Sequence, residues 1–89
     1  MFQIELSRFA KRFLRNCEKE IYVRIINKIK SLGINPFSSD VKRIVNRKDK
    51  VFMVRVGDYR ILYTVLLEEK IIMIISVDKR GRVYDWKYS

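Results

Sequence analysis

The sequence predicts an α+β fold: a short N-terminal strand, an antiparallel two-helix hairpin, then a roughly four-stranded antiparallel sheet with the helices on one of its faces. Three observations predict it. Apolar residues recur at helical spacing through the first third of the chain and stop at Gly33 and Pro36. From residue 41 onward the pattern changes to short, β-branched apolar runs. Those runs are joined by short polar links, among them Gly57-Asp58 and Glu68-Glu69. Eighty-nine residues make one domain, 1–89, near the lower end of comfortable domain size, with a modest core.

Residues 2–6 form an apolar stretch that reads as the first strand. Ser7 is placed to cap a helix over 8–16, in which Phe9 and Phe13 lie four apart on one face and Arg8, Lys11, Arg12 and Arg15 occupy the rest. A second helix spans 18–32, with Ile21, Ile25, Ile29 and Leu32 as its buried stripe and Tyr22 and Ile26 beside it. Gly33 suits the position just past its end, and Pro36 forbids continuation. Strands follow at 41–45, 51–56, 59–67 and 70–77. Glycine first and aspartate second make Gly57-Asp58 a favourable two-residue hairpin turn. Glu68-Glu69 is a poor one, which implies a longer loop there. Beyond Asp78 the chain has no clear period.

Composition bounds the function. The net charge is +10, which points to a polyanionic partner, nucleic acid or an acidic protein, because clustered Lys and Arg displace counterions from phosphates. The helices' basic outer faces read either as solvated surface or as direct RNA contacts. Histidine is absent, so histidine-based nuclease, triad and zinc chemistry are excluded. Nothing in the sequence calls for a metal or a cofactor. A lone cysteine, Cys17, cannot form an internal disulfide, and no apolar run is long enough to span a membrane. The expectation is a cytoplasmic protein with no signal peptide and no membrane partner.

The hairpin geometry says more. With Gly57 and Asp58 as the loop, Val56 lies opposite Tyr59, Arg55 opposite Arg60, Val54 opposite Ile61 and Met53 opposite Leu62. Alternation then puts Phe52, Val54, Val56, Tyr59, Ile61 and Tyr63 on one face, towards the helices, and Arg55 with Arg60 on the other. Like charges directly opposite cost up to about 1 kcal/mol, so removing Arg60 is expected to leave stability level or raise it slightly. Two readings account for the pair. Either Asp58 or Asp78 separates the charges in a purely structural arrangement, or the two forked guanidiniums form a phosphate site. Downstream, Lys79-Arg80-Gly81-Arg82-Val83-Tyr84 adds cations and a phenol. It reads either as a basic tail with packed aromatics or as a continuation of that site.

At these residues the chain resembles the RelE branch of the RelE/ParE toxin superfamily. The resemblance covers nearly the whole chain in order of elements. It is most specific at Arg55-Val56-Gly57-Asp58-Tyr59-Arg60-Ile61-Leu62-Tyr63, at Ile75-Ser76-Val77-Asp78-Lys79-Arg80 and at Val83-Tyr84. It implies a ribosome-dependent endoribonuclease, metal-independent, that cleaves messenger RNA in the decoding site by attack of the nucleotide's own 2′-hydroxyl on the next phosphate. It also implies a RelB-like antitoxin partner in a toxin–antitoxin hetero-oligomer, and a ribosome with bound messenger as the target. Carried over by position, Tyr84 is the candidate base, Arg60 holds the phosphate, Arg80 contacts the leaving oxygen and Arg55 stabilises charge from the neighbouring strand. Lys48, Lys50, Lys79 and Arg82 are the candidate RNA-binding cations. The sequence departs from the pattern at Met53, where a second cation is usual. The alternatives are a same-fold toxin with another target, such as a ParE-like gyrase poison, and a non-catalytic basic nucleic-acid-binding module. The module needs stacking aromatics on an exposed sheet face, whereas the aromatics here fall mainly on the helix-facing side.

Overall fold

The computed structural model describes residues 1–44 and 50–79. Within them the chain runs β1 (Gln3–Leu6), α1 (Arg8–Asn16), α2 (Lys19–Ile34), β2 (Lys42–Arg43), β3 (Val51–Val56), β4 (Tyr59–Leu66) and β5 (Ile71–Lys79). The strands form one five-stranded sheet in the order β1-β5-β4-β3-β2. All neighbours are antiparallel except β1, which lies parallel to β5 at the sheet's edge. No helix of the described residues is long and apolar enough to cross a membrane.

Ser7 opens α1 as expected. Its hydroxyl oxygen accepts from the Ala10 amide at 3.1 Å, satisfying one of the donors that a helix start leaves open. The same hydroxyl donates to the Ile75 carbonyl at 2.5 Å, and the Ser7 amide donates to the Ile74 carbonyl, so the helix start is fastened to β5. The buried face of α1 is Ala10 and Leu14, with Phe13 packed beside them. Phe9, expected to share Phe13's face, is 70 % exposed, because the helix meets the sheet along the 10–14 diagonal. On α2 the anticipated stripe is found: Ile25, Ile29 and Leu32 are buried and Ile21 packs against them, while Tyr22 stands out in solvent.

The second helix runs past Gly33. Gly33 lies within its last turn, buried, and its carbonyl accepts from the Phe2 amide at 2.8 Å. An added Cβ there would meet the Phe2 carbonyl oxygen at 3.4 Å. Close approach of β1, rather than a left-handed cap, is what glycine provides at this position. The expected strand at 41–45 shrinks to the two residues of β2, Val45 lying outside the described residues. β5 extends two residues beyond expectation, to Lys79. The β4–β5 link is indeed longer than two residues: Leu67 to Lys70 form the turn, with Lys70 in the left-handed region at φ 58°.

Between the helices and the sheet lies the main core, built from Ile25, Ile29, Leu32, Val54, Ile61, Tyr63, Ile72 and Ile74. Tyr63 is wholly buried, and its hydroxyl donates to the Pro36 carbonyl at 2.6 Å. Its ring stacks on Phe52, which in turn meets Phe37 edge-on. The loop after α2 is thereby pinned to the sheet. Burial, with the negative Asp40 as a smaller contribution, pushes the Tyr63 phenol well above its usual range. A folded-state pKa raised above the unfolded value of about 10 contributes stability that is fully present below pH about 10 and lost as pH rises beyond it. Tyr63→Phe should therefore cost about 1–2 kcal/mol at neutral pH, for the stranded Pro36 carbonyl. It should also flatten the decline in melting temperature above pH about 10. Parallel alkaline declines in the two proteins would remove Tyr63 as the cause.

Candidate functional site

The site is built by the β3–β4 hairpin. Gly57 takes φ 58°, a backbone conformation open to glycine and costly for β-carbon residues. The tight turn fixes the register anticipated from the sequence: Val56 with Tyr59, Arg55 with Arg60, Val54 with Ile61 and Met53 with Leu62. Phe52, Val54, Val56, Tyr59, Ile61 and Tyr63 face the helices, where Tyr59 meets Phe13 edge-on at 5.6 Å. Arg55 and Arg60 share the other face.

β5 completes a row of charges. Asp78 is the ladder partner of Arg60 on the side away from Arg55. Paired residues share a face, so Arg55, Arg60 and Asp78 line up across three strands. A β-bulge makes this possible. The β4–β5 register shifts between Leu62, opposite Ser76, and Tyr63, opposite Ile74, leaving Ile75 as the extra residue. Without that insertion Val77 would face Arg60. With it, Val77 turns into the core and the carboxylate comes to the arginine. The Ser7 hydroxyl holds the Ile75 carbonyl at the bulge itself.

The two arginines differ in environment. Arg55 is exposed, whereas Arg60 keeps 6 % of its surface. This corrects the expectation that losing Arg60 would be neutral or stabilising: a large, buried side chain beside an opposite charge cannot be removed at no cost. The face itself is also less open than alternation alone suggests. Ile44, Val51, Met53 and Leu62 form a second buried cluster there, with Ile75 against it. Met53, two residues before Arg55, is 8 % exposed and belongs to this cluster. A cation in its place would sit in apolar surroundings.

The remaining candidates scatter. Lys79 is exposed, but it pairs with Tyr59 and so lies on the helix side of the sheet, across from Arg55 and Arg60. Lys50 precedes β3 at the end away from the turn, about 16 Å along the strand from Arg55; its carbonyl accepts from the Thr64 hydroxyl at 2.8 Å. Lys48, Arg80, Arg82 and Tyr84 lie outside the described residues. One cation that sequence reasoning did not single out reaches the hairpin. The Arg24 guanidinium of α2 lies against Gly57, so close that a Cβ on that residue would stand 2.7 Å from Nη2. No local pattern signals a contact between residues so far apart in sequence.

A family model for the ParE toxin of type II toxin–antitoxin systems matches residues 4–84. The chain belongs to the RelE/ParE toxin superfamily. A curated Methanocaldococcus jannaschii protein bearing the name toxin RelE1 is 28 % identical to it over 86 residues, 93 % of this chain and 94 % of that protein. Among solved structures, a chain of the archaeal RelE–RelB complex from Pyrococcus horikoshii superposes with a TM-score of 0.78 at 26 % identity, covering 91 % of this chain and 97 % of its own. A chain of the Mycobacterium tuberculosis RelBE2 toxin–antitoxin complex gives 0.76 at 25 % identity, covering 89 % and 98 %. The isolated Escherichia coli RelE toxin shares the fold, with a TM-score of 0.79 at 17 % identity over 97 % of this chain and 92 % of that one.

Proposed function

We propose that this chain is the toxin of a toxin–antitoxin pair and a ribosome-dependent, metal-independent endoribonuclease of the cytoplasm. It cleaves messenger RNA in the decoding site, stops translation, and is neutralised by a RelB-like antitoxin in a hetero-oligomer. The observation that carries the reading is the charge row Arg55–Arg60–Asp78, set by the hairpin and by the bulge within β5, near the strand end that leads into Lys79-Arg80-Gly81-Arg82-Val83-Tyr84.

The chemistry needs a base, charge stabilisation and a proton for the leaving group. Tyr84, as phenolate, takes the proton of the 2′-hydroxyl. The 2′-oxygen attacks the adjacent phosphorus, the bond from phosphorus to the 5′-oxygen breaks, and a 2′,3′-cyclic phosphate forms. Arg80 donates a hydrogen bond to the departing 5′-oxygen, which takes its proton from solvent water. Arg55, exposed, offers a forked pair of donors to the non-bridging oxygens. Arg60, buried, acts on the same charge through a medium poorer in water, where Coulomb interactions are stronger. The superposition on toxin–antitoxin complexes and the +10 net charge support an acidic, wrapping antitoxin.

The test is primer extension on messenger bound in ribosomes, with purified wild-type toxin and a chelator present. Cleavage is expected on an all-ribose messenger. It should be lost when the scissile nucleotide carries 2′-deoxyribose, because the nucleophile is gone. Cutting of the deoxy substrate would sink the in-line scheme, and a requirement for added metal would sink metal independence. A second reading stays in view because the matching family model is that of ParE toxins. Growth arrest without any messenger cleavage, and with DNA gyrase inhibited, would select it.

A further inference from the structure

We propose that Arg24 is a further RNA-binding residue of this toxin, gripping a backbone phosphate at the tip of the β3–β4 hairpin from the side opposite Arg55. The inference rests on the ribonuclease reading and adds a contact to it. Three observations converge. The Arg24 guanidinium is laid on the turn, with Nη2, Cζ and Nη1 at 2.7, 3.4 and 3.5 Å from where a Gly57 Cβ would stand. Glycine serves the turn's positive φ here, and the guanidinium lies where a side chain would otherwise project. Arg24 is nonetheless exposed, so its remaining donors face water.

Among the described residues no carboxylate pairs with it, although exposed Asp58 is the very next residue after Gly57. The charge that Arg24 brings to the turn thus has no carboxylate beside it. An anion supplied from outside completes the arrangement. Exposed Lys79 lies on the same, helix-facing side of the sheet at the neighbouring end of β5, opposite Tyr59. The hairpin tip is thus flanked by Arg24 and Lys79 on one side and by Arg55 on the other. Cations on both sides of a narrow edge suit a single strand whose successive phosphates pass over it.

The experiment measures binding of a short, unstructured RNA oligonucleotide by the purified toxin across a salt series, for wild type, Arg24→Gln and Arg24→Lys. One phosphate contact is worth about 0.7 in the slope of log affinity against log salt for a single strand. Arg24→Gln is therefore expected to lower the slope by about 0.7 and the affinity roughly fivefold at 0.1 M salt, with an unchanged melting temperature. Arg24→Lys, which keeps the charge, should retain most of the slope. An unchanged slope in Arg24→Gln overturns the assignment, as does wild type that fails to bind the oligonucleotide. If the slope is unchanged but Arg24→Gln weakens capture of the co-expressed antitoxin, the residue serves a protein contact instead. Cleavage on ribosomes is scored separately, so failure of the ribonuclease reading and failure of this contact give different results.

Discussion

Tyr84→Phe is expected to reduce cleavage of ribosome-bound messenger by about 100- to 10,000-fold, the range for losing a general base. Phenylalanine keeps the ring and removes one oxygen, so a loss of that size belongs to the hydroxyl. An unperturbed phenol titrates near 10 and is a poor base at neutral pH. Nearby positive charge favours its ionised form, and Lys79, Arg80 and Arg82 are its neighbours in sequence. The wild-type rate should therefore rise with pH until the phenol has ionised, whereas the residual rate of Tyr84→Phe should lack that rise. Ribosome association should survive, because Arg55, Arg60 and Arg80 are untouched. Single-turnover cleavage at several pH values, beside a pelleting assay for ribosome binding, reads all three. Undiminished cutting by Tyr84→Phe removes Tyr84 from the mechanism, and loss of ribosome binding makes it a docking residue.

Much of the frame that positions the arginines was legible because it is governed locally. Gly57-Asp58 allows one tight turn, a two-residue turn sets a register, and the register with alternation settles which side chains share a face. Ser7 as a cap and the Ile25–Ile29–Leu32 stripe follow from equally short-range rules. What escaped was set at long range. Gly33 resembles a helix terminator until β1 is seen to press its backbone against it. Phe9 resembles a core residue until the diagonal of α1 on the sheet is known. The parallel seat of β1 beside β5 has no signature within residues 3–6.

The bulge at Ile75 matters most to the site. Ile71 to Val77 is a nearly unbroken apolar run, so nothing in it marks where a residue is to be skipped. Yet that skip decides whether Arg60 faces Val77 or Asp78. It also explains why the like-charged pair is tolerated: the carboxylate arrives from the third strand, not from the turn. Arg60 is buried on β4, with β3 and β5 on either side.

Arg60→Ala is accordingly expected to have two large effects. Cleavage should fall roughly 100- to 1,000-fold, because a fixed cation aimed at developing phosphate charge is worth about 3–4 kcal/mol in the transition state. Stability should fall as well, by about 2–4 kcal/mol, since the substitution opens space within the sheet and takes the positive neighbour from Asp78. A loss of fold would confound the first effect, so Arg60→Lys is the informative variant. Lysine retains the charge opposite Asp78 and much of the apolar stem, and it should recover most of the melting temperature. It lacks the planar fork, and cleavage should stay roughly 100-fold or more below wild type. Melting curves and single-turnover rates on the same preparations separate the two. If Arg60→Lys is as stable and as active as wild type, charge balance against Asp78 is all that Arg60 provides. Arg55 would then carry the phosphate alone. If Arg60→Lys is stable but inactive, the forked guanidinium belongs to the reaction, and the bulge that aligns it with Asp78 is part of the catalytic architecture.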